Sequence, residues 1–133
     1  MAKTICKLLG VVFILVGIVG FILPKDATNT DSLGTHLTMA HNLVHIVSGI
    51  IALYFGFAGS LSGARAFALV FGAVYLLLGV VGFIMGDPNM DRMLAIIKDQ
   101  LVLGTRDHAI HILLGVIFLL GALMTKPGDA RAD

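Results

Sequence analysis

Five histidines, His36, His41, His45, His108 and His111, are the residues of this chain best suited to chemistry. Imidazole binds metal ions and haem iron, and it changes charge near neutral pH. His41 and His45 are one helical turn apart, and His108 and His111 are three residues apart. On helices, each pair would share a face. His41, His45, His108 and His111 therefore make a candidate metal ligand set, to which Asp107 could add an oxygen. The set lacks a His-Glu-x-x-His motif, a glutamate or a cysteine partner.

Two other uses of these histidines are consistent with the spacing. His45 and His111 each precede a glycine by four positions, Gly49 and Gly115. An axial imidazole with a small residue one turn on could hold a haem or chlorophyll against the helix. The plainer use is structural: a histidine near a span end hydrogen-bonds to a neighbouring helix or connection, and the glycine lets helices approach. On that reading no cofactor is expected.

Other chemistry is sparse. No nucleophile–base pair or carboxylate pair suggests a shared catalytic site. No charge falls in the middle of an apolar segment, where pumps and ion pathways usually need one. Ser48, Tyr54 and Tyr75 are the mid-segment hydroxyls of note. These features point to a non-enzymatic protein acting through contacts, such as an accessory subunit. A transporter or channel would have to form by oligomerisation.

The elements that must position the histidines follow from composition. Of 133 residues, 58% are hydrophobic and 13% charged. Soluble domains carry roughly 25% charged residues, so the excess apolar surface requires lipid. The net charge of +1 offers no basic stripe for nucleic acid, and the single cysteine, Cys6, cannot form an internal disulfide. Four apolar segments cover about residues 5–23, 39–58, 64–85 and 108–125. Each approaches the ~20 residues that cross a bilayer as a helix, and none alternates as a barrel strand would. No small-x-small cleavage site follows the first segment, which is therefore expected to remain as a span.

The chain repeats within itself. Gly10–Leu23 (GVVFILVGIVGFIL) and Gly72–Met85 (GAVYLLLGVVGFIM) agree at eight of fourteen positions, and His45–Leu53 and His111–Leu119 at five of nine. The spacing predicts an all-α, polytopic membrane protein: one domain over 1–133, built of two tandem hairpins, about 5–58 and 64–125, related by a pseudo-two-fold axis along the membrane normal. Gly10, Gly17 and Gly20, matched by Gly72, Gly79 and Gly82, form faces suited to close helix packing.

Gly56–Gly63 is a short turn suited to an antiparallel hairpin. Asp87-Pro88, followed by Met90, Met93, Leu94, Ile97 and Leu101, predicts a short amphipathic surface helix, ended by Gly104 and followed by an Asp107-capped span. Lys3, Lys7, Arg65, Lys126 and Arg131 fall on one side of the membrane, and Lys25, Arg92, Lys98 and Arg106 on the other, with most of the aspartates. This bias favours both termini in the cytoplasm.

Three stretches carry a resemblance: Asn42-Leu-Val-His45-Ile-Val-Ser-Gly49, the segment from Gly72 through Tyr75 to Gly79, and Asp107-His108-Ala-Ile-His111-Ile-Leu-Leu-Gly115. In order and spacing they resemble an uncharacterised family of small four-helix bacterial membrane proteins, catalogued as a domain of unknown function. The resemblance covers nearly the whole chain. It implies a four-helix fold in a prokaryotic inner membrane and supplies no activity. It singles out Asn42, His45, Gly49, Gly72, Tyr75, Gly79, Asp107, His111 and Gly115. Asn42, Tyr75 and Asp107 are expected to join the glycines in helix packing. His108 stands where the family pattern has asparagine, which weakens any site that requires it.

Overall fold

The computed structural model describes residues 1–126 and Gly128; Arg131, counted above in the charge balance, lies outside the described residues. Among the described residues, four helices are long and apolar enough to cross a membrane: α1 (Ala2–Ile22), α2 (Met39–Phe57), α3 (Leu61–Met85) and α4 (Thr105–Leu123). Each satisfies its own backbone, as lipid requires. Side chains set two of the starts. Thr38 accepts from the His41 amide at the head of α2, and Ser60 accepts from the Gly63 amide at the head of α3.

The close pairs are α1 with α2 and α3 with α4. The shortest connection, between α2 and α3, does not produce the closest pair, and these two helices touch over far less of their length. Glycine explains the difference, because lipid supplies no hydrophobic drive and close approach depends on small residues. A Cβ on Gly10 would lie 3.0 Å from the Gly49 carbonyl oxygen and 2.8 Å from Leu53. On Gly72 it would lie 3.0 Å from the Gly115 carbonyl oxygen and 2.7 Å from Leu119. Gly17 meets Ile46 as Gly79 meets Ile112, and Gly20 meets Asn42 as Gly82 meets His108. The glycine faces are therefore occupied inside each hairpin.

Phe13, Phe67, Tyr75 and Phe118 fill the join between the hairpins, with Cys6, Ala52, Ala64 and Ala68 around them. Large apolar side chains such as Leu15, Val47, Leu77 and Leu113 are exposed on the outside of the bundle, where lipid would cover them.

The expected surface helix is absent. Strands β1 (Leu94–Ile97) and β2 (Leu101–Leu103) form an antiparallel hairpin there, with a bulge between Ala95 and Ile97. Asp87 starts a turn instead of a helix: its carboxylate accepts from the Asn89 amide, and its carbonyl from the Met90 amide. Asp91 and Arg92 then adopt left-handed backbone with φ of 52° and 53°, which no right-handed helix can include. Short apolar runs satisfy either period. Here the β-branched Ile96, Ile97 and Val102 favour strands, and β2 buries Leu103 against the end of the bundle. The fourth span also begins earlier than expected, at Thr105. Asp107 sits inside its first turn and reaches back to accept from the Gly104 amide at 2.8 Å.

Candidate functional site

All five histidines lie at the end of the bundle that carries the long connections, opposite the end where Arg65 donates to the Ala122 carbonyl. The anchor there is Asp107, 3% exposed. Its carboxylate accepts from the His36 amide at 3.1 Å, from His36 Nδ1 at 2.9 Å and from the Gly104 amide. One side chain thus ties the first connection to the start of α4. The hydrogen bond from His36 to Asp107 holds the His36 imidazole above its ordinary pKa, against the opposing effect of burial. A second buried carboxylate, Asp31, folds the connection itself by accepting from the amides of Leu33 and Thr35 and from the Thr35 hydroxyl. Thr38 Oγ1 donates to the Gln100 carbonyl and fastens the β-hairpin to the same layer.

Below this layer His41, His45 and His111 come together. Their ring centroids are 4.4 Å (His41–His45), 5.7 Å (His41–His111) and 6.5 Å (His45–His111) apart. One ring nitrogen from each lies within 4.8 Å of the others. Helical geometry places two of them, since His41 and His45 share a face of α2; the packing of the hairpins brings in His111. Phe13 packs on His45 at 5.4 Å and Tyr75 on His111 at 5.1 Å, so the site's inner floor is aromatic.

The hydrogen bonding is incomplete. His41 Nδ1 donates to the His36 carbonyl at 2.8 Å. Among the described residues, neither ring nitrogen of His45 has a partner, nor does His111 Nδ1. A buried polar group left unmet costs about 1–3 kcal/mol. The three rings border a cavity of about 190 Å³ that also meets Ser48 and Tyr75, is roofed by Ile96, Leu101 and Leu103 of the β-hairpin, and runs between α2 and α3. A larger depression, about 540 Å³, lies between the first connection and the hairpin turn. Its cation, Lys25, is already engaged by the Gly20 and Leu23 carbonyls, so it offers less chemistry.

His108 stands apart from the cluster. It is fully buried against Gly82 and Phe83, and Nε2 donates to the Arg92 carbonyl at 2.8 Å. Gly49 and Gly115 are also occupied: a Cβ on either would meet backbone of the paired helix, Gly10 oxygen at 2.7 Å or Leu76 nitrogen at 2.5 Å. Neither presents an open face for a macrocycle.

Residues 3–124 match a family model described as a domain of unknown function, DUF4383. The chain belongs to this family. No curated protein and no solved structure matches it.

Within this DUF4383 chain, His108 has a counterpart in the other hairpin. His108 fills against Gly82 the place that Asn42 fills against Gly20. Each leaves one buried polar atom unpaired, His108 Nδ1 and Asn42 Oδ1. Sequence reasoning did not assign a role to His36. Its contribution depends on the first connection folding back onto α4, which no local spacing encodes.

Proposed function

We propose that this DUF4383 protein is a non-enzymatic integral membrane protein of a prokaryotic cytoplasmic membrane, acting through contacts as an accessory subunit of a larger membrane assembly. One observation carries this reading. Among the described residues the buried carboxylates are Asp31 and Asp107, and each accepts several hydrogen bonds that close the polar layer. The acids that could move protons are acting as clamps, and the described spans place apolar side chains toward lipid. With the glycine faces filled internally, any partner would meet the outer apolar ridges.

A tandem duplication of a two-helix unit accounts for the matched glycine contacts. It also accounts for equivalent residues meeting each other at the join, Phe13 with Tyr75 and His45 with His111. The clustering of Lys3, Lys7, Arg65 and Lys126 favours both termini in the cytoplasm. The haem or chlorophyll alternative is supported by the facing imidazoles of His45 and His111. The adjoining cavity, about 190 Å³, is smaller than the ~300–1,000 Å³ of small-molecule and cofactor sites.

The test is native electrophoresis of the source membranes in mild detergent. Migration with larger partners is expected; migration only as a monomer or small oligomer overturns the subunit reading. A Soret or Qy band in the purified protein, lost on combining His45→Ala with His111→Ala, would favour the pigment instead.

A further inference from the structure

We infer that His41, His45 and His111 form a binding site for one divalent first-row transition-metal ion, enclosed at the end of the bundle beneath the β-hairpin. The inference goes beyond the contact role and is independent of it.

Three observations converge. The first is the donor set. One nitrogen from each of three buried imidazoles lies within 4.8 Å of the other two. Metal-bound imidazole nitrogens sit about 2.0–2.1 Å from zinc, so rotation of rings already facing one another brings them into a coordination sphere. The second is the unmet hydrogen bonding. Both nitrogens of His45 and Nδ1 of His111 are buried without a partner, although other imidazoles are beside them. A cation that takes one lone pair from each ring can meet one of the two His45 nitrogens and Nδ1 of His111.

The third is the support around the ligands. His41 donates Nδ1–H to the His36 carbonyl, which leaves its Nε2 lone pair free, and His36 is in turn held by Asp107. Metal-ligating histidines are characteristically oriented in this way, by a carbonyl or carboxylate on the far ring nitrogen. The adjoining cavity, which Ser48 and Tyr75 also line, has room for a water as fourth ligand.

The donors also indicate the class of ion. Imidazole nitrogen suits zinc, copper, nickel and iron; calcium and magnesium require oxygen ligands. Cys6 packs beside Ala64 near the opposite end of the bundle and cannot contribute a thiolate. The structure reduces the four-histidine set of the sequence to three, because His108 faces Gly82 and is bonded to Arg92.

The experiment uses the full chain without a polyhistidine tag, purified in mild detergent and stripped with a chelator. It is titrated with Co²⁺ by visible absorption, then with Zn²⁺ in competition. The expected result is one Co²⁺ per chain with the strong absorption of a four-coordinate site, displaced by Zn²⁺ and unaffected by Mg²⁺ or Ca²⁺. His45→Ala and His111→Ala should abolish stoichiometric binding, and His108→Asn should retain it. Asp107→Asn should retain the stoichiometry with weaker affinity, because it loosens the His36 carbonyl that orients His41. Should the alanine variants fail to fold, His41→Gln and the Zn²⁺-induced rise in unfolding temperature of the wild-type chain provide the same decision. No stoichiometric Co²⁺ in the folded wild-type chain overturns the proposal, as does binding that survives His45→Ala combined with His111→Ala, or no rise with Zn²⁺.

Discussion

His45 and His111 face each other across the join between the two hairpins, with ring centroids 6.5 Å apart and ring planes at 90°. They fall at matching places in two similar stretches of sequence, as do Phe13 and Tyr75, whose rings meet at 5.3 Å. The join thus brings together polar groups whose hydrogen-bonding capacity neither hairpin meets, and this arrangement has measurable consequences.

In metal-free protein, His45→Leu should leave thermal stability unchanged or raise it by up to about 2 kcal/mol, because two unpartnered buried nitrogens are removed. Adding Zn²⁺ should reverse the order, stabilising wild type alone. Unfolding in mild detergent with and without the ion measures both effects.

Gly115→Ala should destabilise by about 1–3 kcal/mol, the usual effect of overpacking. Its new methyl would lie 2.5 Å from the Leu76 backbone nitrogen, which cannot turn aside as a side chain would. Gly128, with nothing among the described residues within 4 Å of an added Cβ, supplies the control, and Gly128→Ala should change stability by less than about 0.5 kcal/mol. Equilibrium unfolding of both variants in one detergent makes the comparison.

Asp107→Asn should loosen the first connection before it affects the spans. The carboxylate takes two donors from His36 and one from Gly104, and hydrogen bonds to a charged group contribute roughly 1.5–3 kcal/mol. Amide hydrogen exchange should accelerate over residues 25–38 and at the start of α4. Unchanged exchange there would show that the clamp is not holding the layer.

His36 makes this layer pH-sensitive in a defined direction. Its hydrogen bond to Asp107 raises its pKa above the ordinary 6.5. A raised folded-state pKa contributes stability that is fully present below about pH 6.5 and is lost as pH rises through the higher folded value. The unfolding temperature should therefore fall as pH rises above about 6.5, with a flatter profile in His36→Gln.

Orientation can be read by labelling. In a Cys6→Ala background, Asp99→Cys on the hairpin turn should react with an impermeant maleimide added outside intact cells. Ser60→Cys, between α2 and α3, should react only after the membrane is opened. The reverse pattern places both termini outside.

The four long apolar helices are legible in the chain, because lipid imposes a simple rule. Every backbone group must be met within its own segment, so apolar length alone predicts a helix. The pairing of His41 with His45 was legible for a similar reason: helical periodicity fixes it locally. The conformation of residues 94–103 was not, since a short apolar run satisfies both periods and two left-handed residues, Asp91 and Arg92, decide the outcome. Nor was the composition of the site. Only tertiary structure separates His108, which turns toward Gly82, from His111, which turns toward His41 and His45. Only the folded connection makes His36 the link between Asp107 and the cluster. Sequence determined which side chains lie at this end of the membrane. The packing of two hairpins determined which of them meet, because contact between distant segments depends on interhelical geometry that no local period contains.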